Sequence, residues 1–480
     1  MLKARLKPHG GIHPDSHKQL TSDKPIKTLD TPWRLLLPLK QHAGAPALPV
    51  VAVGEQVLAN QLLAKGNGRF SMPIHSPLAA TVTAIDGQQI TLRVASEAQR
   101  SVPPLARDGE LSEREQMIAL VEQAGIVGMG GAMFPTADKL RLSLRHSIDT
   151  LIINGSECEP YLTCDDRLMQ EQGVQILGGI RYLMQMTQAS RCFIGIESNK
   201  PDAIEAMESV CRDEAGIDIV ALPALYPMGS EKQLIEAVTG IQVPSGKLSA
   251  DVGVLVQNVA TCIAVFHALR FGRPLTHRVI TLSGDALEEP TNVYAPIGMP
   301  ISEIISQCGG LKSTPERIVL GGPMMGKAIH NIHAPVTKGT SGILLLTRQE
   351  VPHPKASACV RCGRCVAACP MSLTPLDLVG ALKQDKLDDA SSLGLSDCLL
   401  CGSCAYVCPA AIPLTEFFDW GKQTLQRQRL SEQKSERTRA NGDARRERLS
   451  REAAEKEAAK AAKAAASPRR PRRQTTEEAS

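Results

Sequence analysis

Eight cysteines between residues 359 and 408 carry the clearest chemical signal in this chain of 480 residues. They form two runs of identical spacing, C-x2-C-x2-C-x3-C-P, which begin at Cys359 and at Cys398. Bacterial proteins that bind two [4Fe–4S] clusters use this spacing, and the fourth cysteine of each run ligates the cluster of the other run. The runs therefore predict an electron-transfer protein. The predicted ligands are Cys359, Cys362, Cys365 and Cys408 for cluster 1, and Cys369, Cys398, Cys401 and Cys404 for cluster 2.

Two zinc sites with four cysteines each are the alternative interpretation. Zinc ribbons use paired C-x2-C knuckles rather than four cysteines that end in Cys-Pro, so iron–sulfur clusters are favoured. Between the runs, residues 375–395 have the apolar periodicity of a helix, which favours a helical two-cluster ferredoxin. The other six cysteines lack ligand spacing. Four of them are expected to be buried apolar residues, and Cys158 and Cys164 are expected to line a pocket.

The formal net charge of +4 comes from the carboxyl-terminal tail. Residues 431–480 contain 14 Lys and Arg against 9 Asp and Glu, which leaves 40 against 41 in residues 1–430. A basic tail can bind nucleic acid, but these charges alternate in sign and no aromatic residue is present for base stacking. We therefore expect a solvated helix that is disordered from Pro468 onward, and no nucleic-acid partner. No signal sequence is visible, and no stretch reaches the ~18 apolar residues of a membrane span.

Strand and helix patterns predict five domains in a multidomain α/β plus β fold. Residues 1–100 contain short apolar runs separated by Gly and Asn, which indicates a small all-β domain. This segment resembles the lipoyl/biotinyl barrel-sandwich hybrid family, whose members modify a lysine at a hairpin tip. Here the tip is residues 66–68, with Lys65 outside it, so an unmodified barrel is expected.

The remaining domains follow in chain order. Residues 101–275 alternate apolar strands with helices, which predicts a Rossmann-like parallel sheet. Residues 276–348 read as a strand–helix–strand module, residues 349–420 hold the cysteine runs, and residues 421–480 form the charged, Ala-rich helical or disordered tail.

A glycine-rich segment of the predicted parallel-sheet domain could bind phosphate. GIVGMGGAMFPTADKL contains Gly128, Gly130 and Gly131 ahead of a helix-like stretch. Glycines at this spacing let backbone N–H groups converge on an anion, and Lys139 could offset its charge. An ordinary turn is the alternative.

An acidic segment follows the apolar run at residues 151–153. It contains Asn154, Glu157 and Glu159. Polar residues just beyond the carboxyl end of a strand are where α/β sheets bind ligands, and acidic groups there suit ribityl or ribose hydroxyls. A solvated loop is the alternative.

Together these segments resemble the NADH- and FMN-binding subunit of respiratory complex I. That family has GRGGAGFPTGLKW, CNADEMEP, YxxGEET and NNVET elements, and this sequence has counterparts in the same order over roughly 150 residues, starting at Gly128 and ending at Thr261. The resemblance implies non-covalently bound FMN at Gly128, Gly130, Gly131, Lys139, Asn154, Asn258 and Thr261. It implies NADH near Phe134, Glu157 and Glu231, and it makes Glu159 part of the same cofactor-binding element.

The sequence departs from that family at four positions. Met129 replaces the family arginine, Met133 a loop glycine, Ser156 an aspartate, and Leu140 the aromatic residue after the lysine. These departures weaken the nicotinamide assignment more than the flavin assignment.

Residues 276–325 resemble the SLBB (β-grasp) domain that follows in the same family. The full order of domains is similar to the RnfC/RsxC family of the Rnf/Rsx ion-translocating electron transport complexes. A related family in the sodium-pumping NADH:quinone reductase shares the front half but not the cysteine runs.

The resemblance implies a translocase subunit that acts between NADH and, indirectly, ferredoxin. It would be a peripheral protein on the cytoplasmic face of the bacterial inner membrane, bound to integral membrane and iron–sulfur subunits. Because the cofactors perform the chemistry, no catalytic acid or base is predicted. Two alternatives are a diaphorase-type subunit of a soluble hydrogenase or formate dehydrogenase, and a non-catalytic iron–sulfur scaffold.

Overall fold

The computed structural model describes residues 2–5, 9–95 and 113–466. The predicted boundary at residues 100 and 101 and the predicted disordered end lie outside this part. Two short strands, β1 (Leu2–Lys3) and β2 (Lys27–Thr28), precede the first domain. The sequence assigned them to the barrel, but β1 pairs with a strand of the flavin-type domain and β2 with a strand of the β-grasp domain. Two-residue strands carry no periodicity that could predict their partners.

The barrel consists of two antiparallel sheets with orders β3-β9-β8-β5 and β4-β6-β7. Residues alternate between buried and half-buried along β3, where Leu35 and Leu37 are fully buried, because successive side chains point to opposite faces. Its strands are β3 (Arg34–Pro38), β4 (Leu48–Pro49), β5 (Gln56–Val57), β6 (Leu62–Lys65), β7 (Ile74–His75), β8 (Ala80–Ile85) and β9 (Gln89–Val94).

The second domain is a parallel sheet covered on both faces. Its strands β10 (Thr150–Gly155), β11 (Arg191–Glu197), β12 (Ile217–Leu222) and β13 (Val254–Asn258) join β1 in the order β1-β12-β11-β10-β13. The helices are α1 (Arg114–Gln123), α2 (Thr136–Arg141), α3 (Cys164–Glu171), α4 (Gly173–Thr187), α5 (Pro201–Cys211), α6 (Glu231–Thr239) and α7 (Val259–Phe271). Strands buried on both faces read as continuous apolar runs, which is why the sequence revealed β10, β11 and β12, whereas β13 was not predicted. In the register of β10 and β13, Asn154 lies beside Asn258 at the carboxyl edge.

The β-grasp domain extends a mixed sheet in the order β17-β16-β18-β14-β15-β2. Its elements are β14 (His277–Ser283), β15 (Thr291–Pro296), α8 (Ile301–Gln307), β16 (Arg317–Leu320), β17 (Lys327–Ile329) and β18 (Gly342–Leu346). The Thr163 N–H of the flavin-type domain donates to the Thr281 hydroxyl of β14 at 3.0 Å, so this sheet lies against that domain.

Helices alone form the described part of the cysteine-rich domain, as predicted for a helical two-cluster ferredoxin. They are α9 (Arg364–Ala367), α10 (Pro375–Leu382), α11 (Leu387–Ser392), α12 (Ser403–Tyr406) and α13 (Leu414–Ala465). Helix α13 is 52 residues long; its first turns bury Phe418 and Leu425, and its later residues are exposed to solvent. Among the described helices, none combines the length and apolarity that a membrane crossing requires.

Candidate functional site

The eight cysteines of the two runs surround two separate cavities. One cavity is lined by Cys369, Cys398, Cys401 and Cys404. The other is lined by Cys359, Cys362, Cys365 and Cys408. The structure therefore groups the cysteines as the spacing rule groups them, with each fourth cysteine beside the other run. Their role as iron ligands remains a prediction.

Each run folds into the same loop around its cavity. Arg361 and Leu400, at equivalent positions, have φ of 53° and 57°, and Gly363 and Gly402 have φ of 74° and 79°. Left-handed residues let a chain turn its backbone N–H groups towards a negatively charged group, and the Arg361 N–H donates to the Cys359 sulfur at 3.4 Å. Four thiol groups beside such a concavity are a donor set that fits a [4Fe–4S] cluster.

The two cavities differ in their surroundings. Cys369, Cys401 and Cys404 are buried, and this cavity lies against the flavin-type domain. The Tyr226 hydroxyl donates to the Cys401 carbonyl oxygen at 2.7 Å, and the Gln233 side-chain amide donates to the Pro370 carbonyl oxygen at 3.1 Å. We call this the proximal cavity.

The second cavity, here called the distal cavity, faces outward. Cys359 and Cys362 are exposed, and so are Val360 and Tyr406, at 67% and 54% of their surface.

The glycine-rich segment folds into a loop over the amino-terminal end of α7. The Gly128 N–H donates to the Phe134 carbonyl oxygen at 2.8 Å, and the Met129 N–H donates to the Thr261 hydroxyl at 3.1 Å. Gly131 has φ of 108°, and no atom lies within 4 Å of the place where a Cβ would stand. The loop therefore leaves open space beside exposed backbone, as a bound phosphate or ribityl chain requires.

Three buried polar atoms near this loop fit a bound group as well. Thr136 follows the loop, Gln257 precedes Asn258, and Arg278 donates to the Met129 carbonyl oxygen at 3.4 Å. Within the described residues, Oγ1 of Thr136, Nε2 of Gln257 and Nη1 of Arg278 have no hydrogen-bond partner. Because buried polar groups are nearly always satisfied, such atoms indicate a missing partner. The residues present therefore fit FMN.

Arg278 is a candidate site residue that sequence reasoning missed. It lies on β14 of the β-grasp domain, is 2% exposed, and reaches the loop whose family arginine is Met129 here. Burial lowers the pKa of its guanidinium from the ordinary value, while Cys164 and Asp165 oppose that shift. No local motif could identify it, because its contact with Met129 spans 149 residues.

Around Glu157 the acidic segment forms a buried cluster. Glu157 accepts hydrogen bonds from the backbone N–H of Asp165 at 2.9 Å and from the Cys164 thiol at 3.4 Å. Burial first, and the Glu157 carboxylate second, raise the pKa of Asp165 to about 7. The Asn258 amide donates to Asp165 at 2.7 Å. Asp165 is thus a second missed candidate, although the Asp165-Asp166 pair soon after Glu159 was a visible signal.

Ser156 stands where the resembling family has aspartate, and its contacts explain the difference. Its hydroxyl donates to the Glu197 carboxylate at 3.1 Å, and Glu197 pairs with Lys200 at 3.0 Å. The side chains of Glu197 and Lys200 are each 2% exposed. An aspartate at position 156 would place a second negative charge beside Glu197, which a buried site disfavours.

The polar groups of Asn154, Lys139 and Glu231 form hydrogen bonds or ion pairs with other groups of the protein. The Asn154 amide donates to the Gly229 carbonyl oxygen at 2.8 Å, and its oxygen accepts from the Ser156 N–H at 3.0 Å. Lys139 and Glu231, predicted for phosphate and for NADH, pair at 2.8 Å. Burial would raise the pKa of Glu231, but Lys139 and Ser249 outweigh it and hold that pKa below the usual range.

Glu159 contacts the β-grasp domain. Its carboxylate accepts the backbone N–H groups of Met324 and Met325 at 3.0 and 2.9 Å, in the turn between β16 and β17. Burial raises the pKa of Glu159 to about 7. Glu159 therefore joins the acidic segment to the β-grasp domain.

The fold and the site define a class of protein. A parallel-sheet domain with an open glycine-rich loop lies directly beside one of two four-cysteine cavities, and this is the organisation of an iron–sulfur flavoprotein that relays electrons.

Comparison with family models agrees domain by domain. Residues 6–102 match the RnfC barrel sandwich hybrid domain and residues 121–267 the Nuo51 FMN-binding domain. Residues 279–328 match the SLBB domain and residues 358–412 the 4Fe-4S dicluster domain. The predicted fold class and the predicted cofactors, FMN and two [4Fe–4S] clusters, are confirmed at the level of these domains.

Relatives of known name identify the family. The chain is 47% identical to the RnfC-type component of the ion-translocating oxidoreductase complex of Rhodobacter capsulatus, over 87% of this chain and 82% of that protein. It is 43% identical to the corresponding component of the proton-translocating ferredoxin:NAD(+) oxidoreductase complex of Clostridium ljungdahlii, over 76% and 82%. The chain belongs to the RnfC family of ion-translocating oxidoreductase complexes. This confirms the family predicted from the order of domains and favours it over the diaphorase and scaffold alternatives.

A solved structure of an NAD+-reducing [NiFe]-hydrogenase is similar over 59% of this chain and 54% of that chain, with 19% identity and a TM-score of 0.46. This level of similarity supports no functional argument.

Proposed function

We propose that this chain exchanges electrons with NADH and passes them, through its two cluster cavities, to other subunits of an ion-translocating NADH:ferredoxin-type oxidoreductase. FMN, when bound, supplies the conversion between two-electron hydride chemistry and single electrons. The observation that carries the proposal is the contact of the proximal cavity with the flavin-type domain, made by the Tyr226 hydroxyl and the Cys401 carbonyl group.

In this proposal, the residues of the glycine-rich loop bind FMN and orient it. Gly128, Gly130 and Gly131 hold the phosphate and ribityl part of FMN through the backbone, because the loop has no side chains there to keep it at a distance. Thr261 fixes the loop by accepting the Met129 N–H. Asn258 fixes the neighbouring acid through its hydrogen bond to Asp165.

The two cavities would act in a fixed order. The proximal cavity is buried against the flavin-type domain, while the distal cavity is lined by exposed residues such as Val360 and Arg361. Electrons from NADH would therefore reach the cluster held by Cys369, Cys398, Cys401 and Cys404 before the cluster held by Cys359, Cys362, Cys365 and Cys408. The reverse order applies when NAD+ is reduced.

The rim of the distal cavity suggests the chemistry of the next subunit. Lys355, Arg361 and Arg364 are exposed, and residues 351–376 contain no Asp or Glu. An iron–sulfur subunit with an acidic surface is the partner that complements this charge. We assign the chain to the cytoplasmic face of the inner membrane, held by integral membrane and iron–sulfur subunits, because NADH is available on that face.

The test uses the whole complex, purified without oxygen. Iron, acid-labile sulfide and released FMN are measured, and NADH is then added while cluster absorption is recorded. Flavin, iron and bleaching by NADH are expected in the wild type. The variant Cys401→Ser should lose NADH-dependent reduction of both clusters yet keep flavin reduction, whereas Cys359→Ser should keep reduction of the proximal cluster.

Cys308→Ser is the matched control for both variants. Cys308 is fully buried and lies outside the two runs, so its substitution tests the cost of losing any buried thiol. Zinc in place of iron, or a complex that NADH does not reduce, would contradict the proposed function.

A further inference from the structure

The barrel domain touches the glycine-rich loop through an aromatic residue. Phe70, in the segment between β6 and β7, lies 4.9 Å from Phe134 between ring centroids, with the ring planes at 50°. Phe134 is the residue that the sequence placed near NADH. Both rings are only partly buried.

The conformation of this segment is held in place by backbone contacts. Phe70 has φ of 63°, a left-handed value that costs a bulky residue free energy. The Phe70 carbonyl oxygen accepts the Gly44 N–H at 2.9 Å, and a Cβ on Gly44 would lie 2.4 Å from the Phe70 carbonyl carbon. One residue earlier in the chain, the Ala43 N–H donates to the Met133 carbonyl oxygen at 3.2 Å. The barrel is therefore fastened to the loop where the rings meet.

A cation completes the arrangement. The Arg69 guanidinium carbon lies 4.4 Å from the centre of the Phe70 ring, and Arg69 is exposed. Within the described residues its guanidinium pairs with no carboxylate. Aromatic residues make up only 3% of this chain, and two of them lie beside the loop together with this arginine.

We infer that Arg69 and Phe70 of the barrel form the wall of the dinucleotide site that holds the adenosine half of NADH, an inference that rests on the proposed function. An adenine ring stacks on Phe70 and Phe134, because bases bind aromatic faces. Arg69 lies beside the pyrophosphate, which a guanidinium recognises with paired N–H groups. Phe70 thus supplies an aromatic surface to a loop that has Leu140 after its lysine.

Steady-state kinetics of the purified complex test this inference with two electron donors. NADH and reduced nicotinamide mononucleotide share the nicotinamide, but the mononucleotide lacks the adenosine half. With ferricyanide as acceptor, Phe70→Ala should raise KM for NADH roughly tenfold, as the loss of one stacking contact predicts, and leave kcat unchanged. The KM of Phe70→Ala for the mononucleotide should equal that of the wild type. Arg69→Gln should show the same pattern with a smaller increase.

The matched control is Phe271→Ala. Phe271 is also a partly exposed ring beside an arginine, with the Arg273 guanidinium carbon 5.5 Å from its centre, but it lies at the other end of α7 from the loop. Its kinetic constants should equal those of the wild type, and all variants should retain wild-type flavin and iron.

Two results would overturn the inference in distinguishable ways. If the wild type oxidises NADH and Phe70→Ala leaves KM unchanged, or raises it equally for both donors, the barrel does not bind the adenosine half, while the proposed function stands. If the wild type oxidises neither donor, the proposed function fails and this inference fails with it.

Discussion

Tyr226→Phe removes a single hydroxyl at the junction between the flavin-type domain and the proximal cavity. Tyr226 is 2% exposed, and its hydroxyl donates to the Cys401 carbonyl oxygen at 2.7 Å. The substitution keeps the ring and its packing, so its effects come from this one hydrogen bond. We expect a loss of about 1–3 kcal/mol in the free energy of unfolding, because the carbonyl group is left without a partner.

The same hydrogen bond should influence the potential of the cluster in the proximal cavity. The O–H dipole directs its positive end towards Cys401, and this stabilises an added electron. A neutral hydrogen bond contributes about 0.5–1.5 kcal/mol, and one electron moved through 59 mV corresponds to about 1.4 kcal/mol. Loss of the hydroxyl should therefore lower the potential of the proximal cluster by roughly 20–60 mV, while that of the distal cluster stays unchanged.

A redox titration of the purified complex, followed by electron paramagnetic resonance, measures both potentials in one sample. Tyr406→Phe is the matched control, since Tyr406 lies between Cys404 and Cys408 and is 54% exposed. Equal shifts of both clusters in Tyr226→Phe, or no shift at all, would refute the reasoning. A shift in the control as large as in the variant would refute it as well.

Three further predictions concern stability. Lys200→Met should lower the free energy of unfolding, measured by chemical denaturation, by about 3–5 kcal/mol, because it leaves the buried Glu197 carboxylate unpaired. The double variant with Glu197→Gln should recover much of that loss. Burial raises the pKa of Glu159 to about 7, above its value in the unfolded chain. The stability that protonated Glu159 provides is therefore complete below about pH 4 and is lost as the pH rises to about 7. In Glu159→Gln this decline in the free energy of unfolding should be weaker, as measured by chemical denaturation at each pH. Ending the chain after Leu430 should leave the melting temperature within about 2 °C of the wild type, because residues of α13 beyond Leu425 are exposed.

Local patterns predicted those parts of the site that depend on neighbouring residues. Three closely spaced cysteines of each run line one cavity, the fourth cysteine of each run was assigned to the other cavity by the spacing rule, and the glycine-rich loop is a local feature. The strand at residues 150–155 was visible because both of its faces are buried. Chemistry and spacing were enough in these cases, because most of the groups involved are close in the chain and the fourth cysteine of each run follows a known spacing rule.

Contacts between distant residues could not be predicted in the same way. The Tyr226–Cys401 hydrogen bond spans 175 residues and the Arg278–Met129 hydrogen bond spans 149. The sequence around Tyr226 does not differ from that around an ordinary core tyrosine, and the sequence around Arg278 does not differ from that around an ordinary strand arginine. The short strand β1 joins the parallel sheet beside β12, from which a long stretch of chain separates it. Only the assembled domains bring these groups together.

The contacts of the barrel make it a fixed wall of the site. Lys338 of the β-grasp domain is 1% exposed, and its ammonium group donates to the Pro73 carbonyl oxygen of the barrel and to the Gly125 carbonyl oxygen of the flavin-type domain, at 2.6 Å each. Gly125 lies three residues before Gly128, so this lysine ties all three domains at the base of the glycine-rich loop. A barrel that swings a carrier lysine must be free to move, whereas three domains joined by buried polar contacts move as one body. The same rigidity keeps Phe70 beside Phe134. The entropic cost of ordering these two rings therefore arises during folding and does not weaken ligand binding.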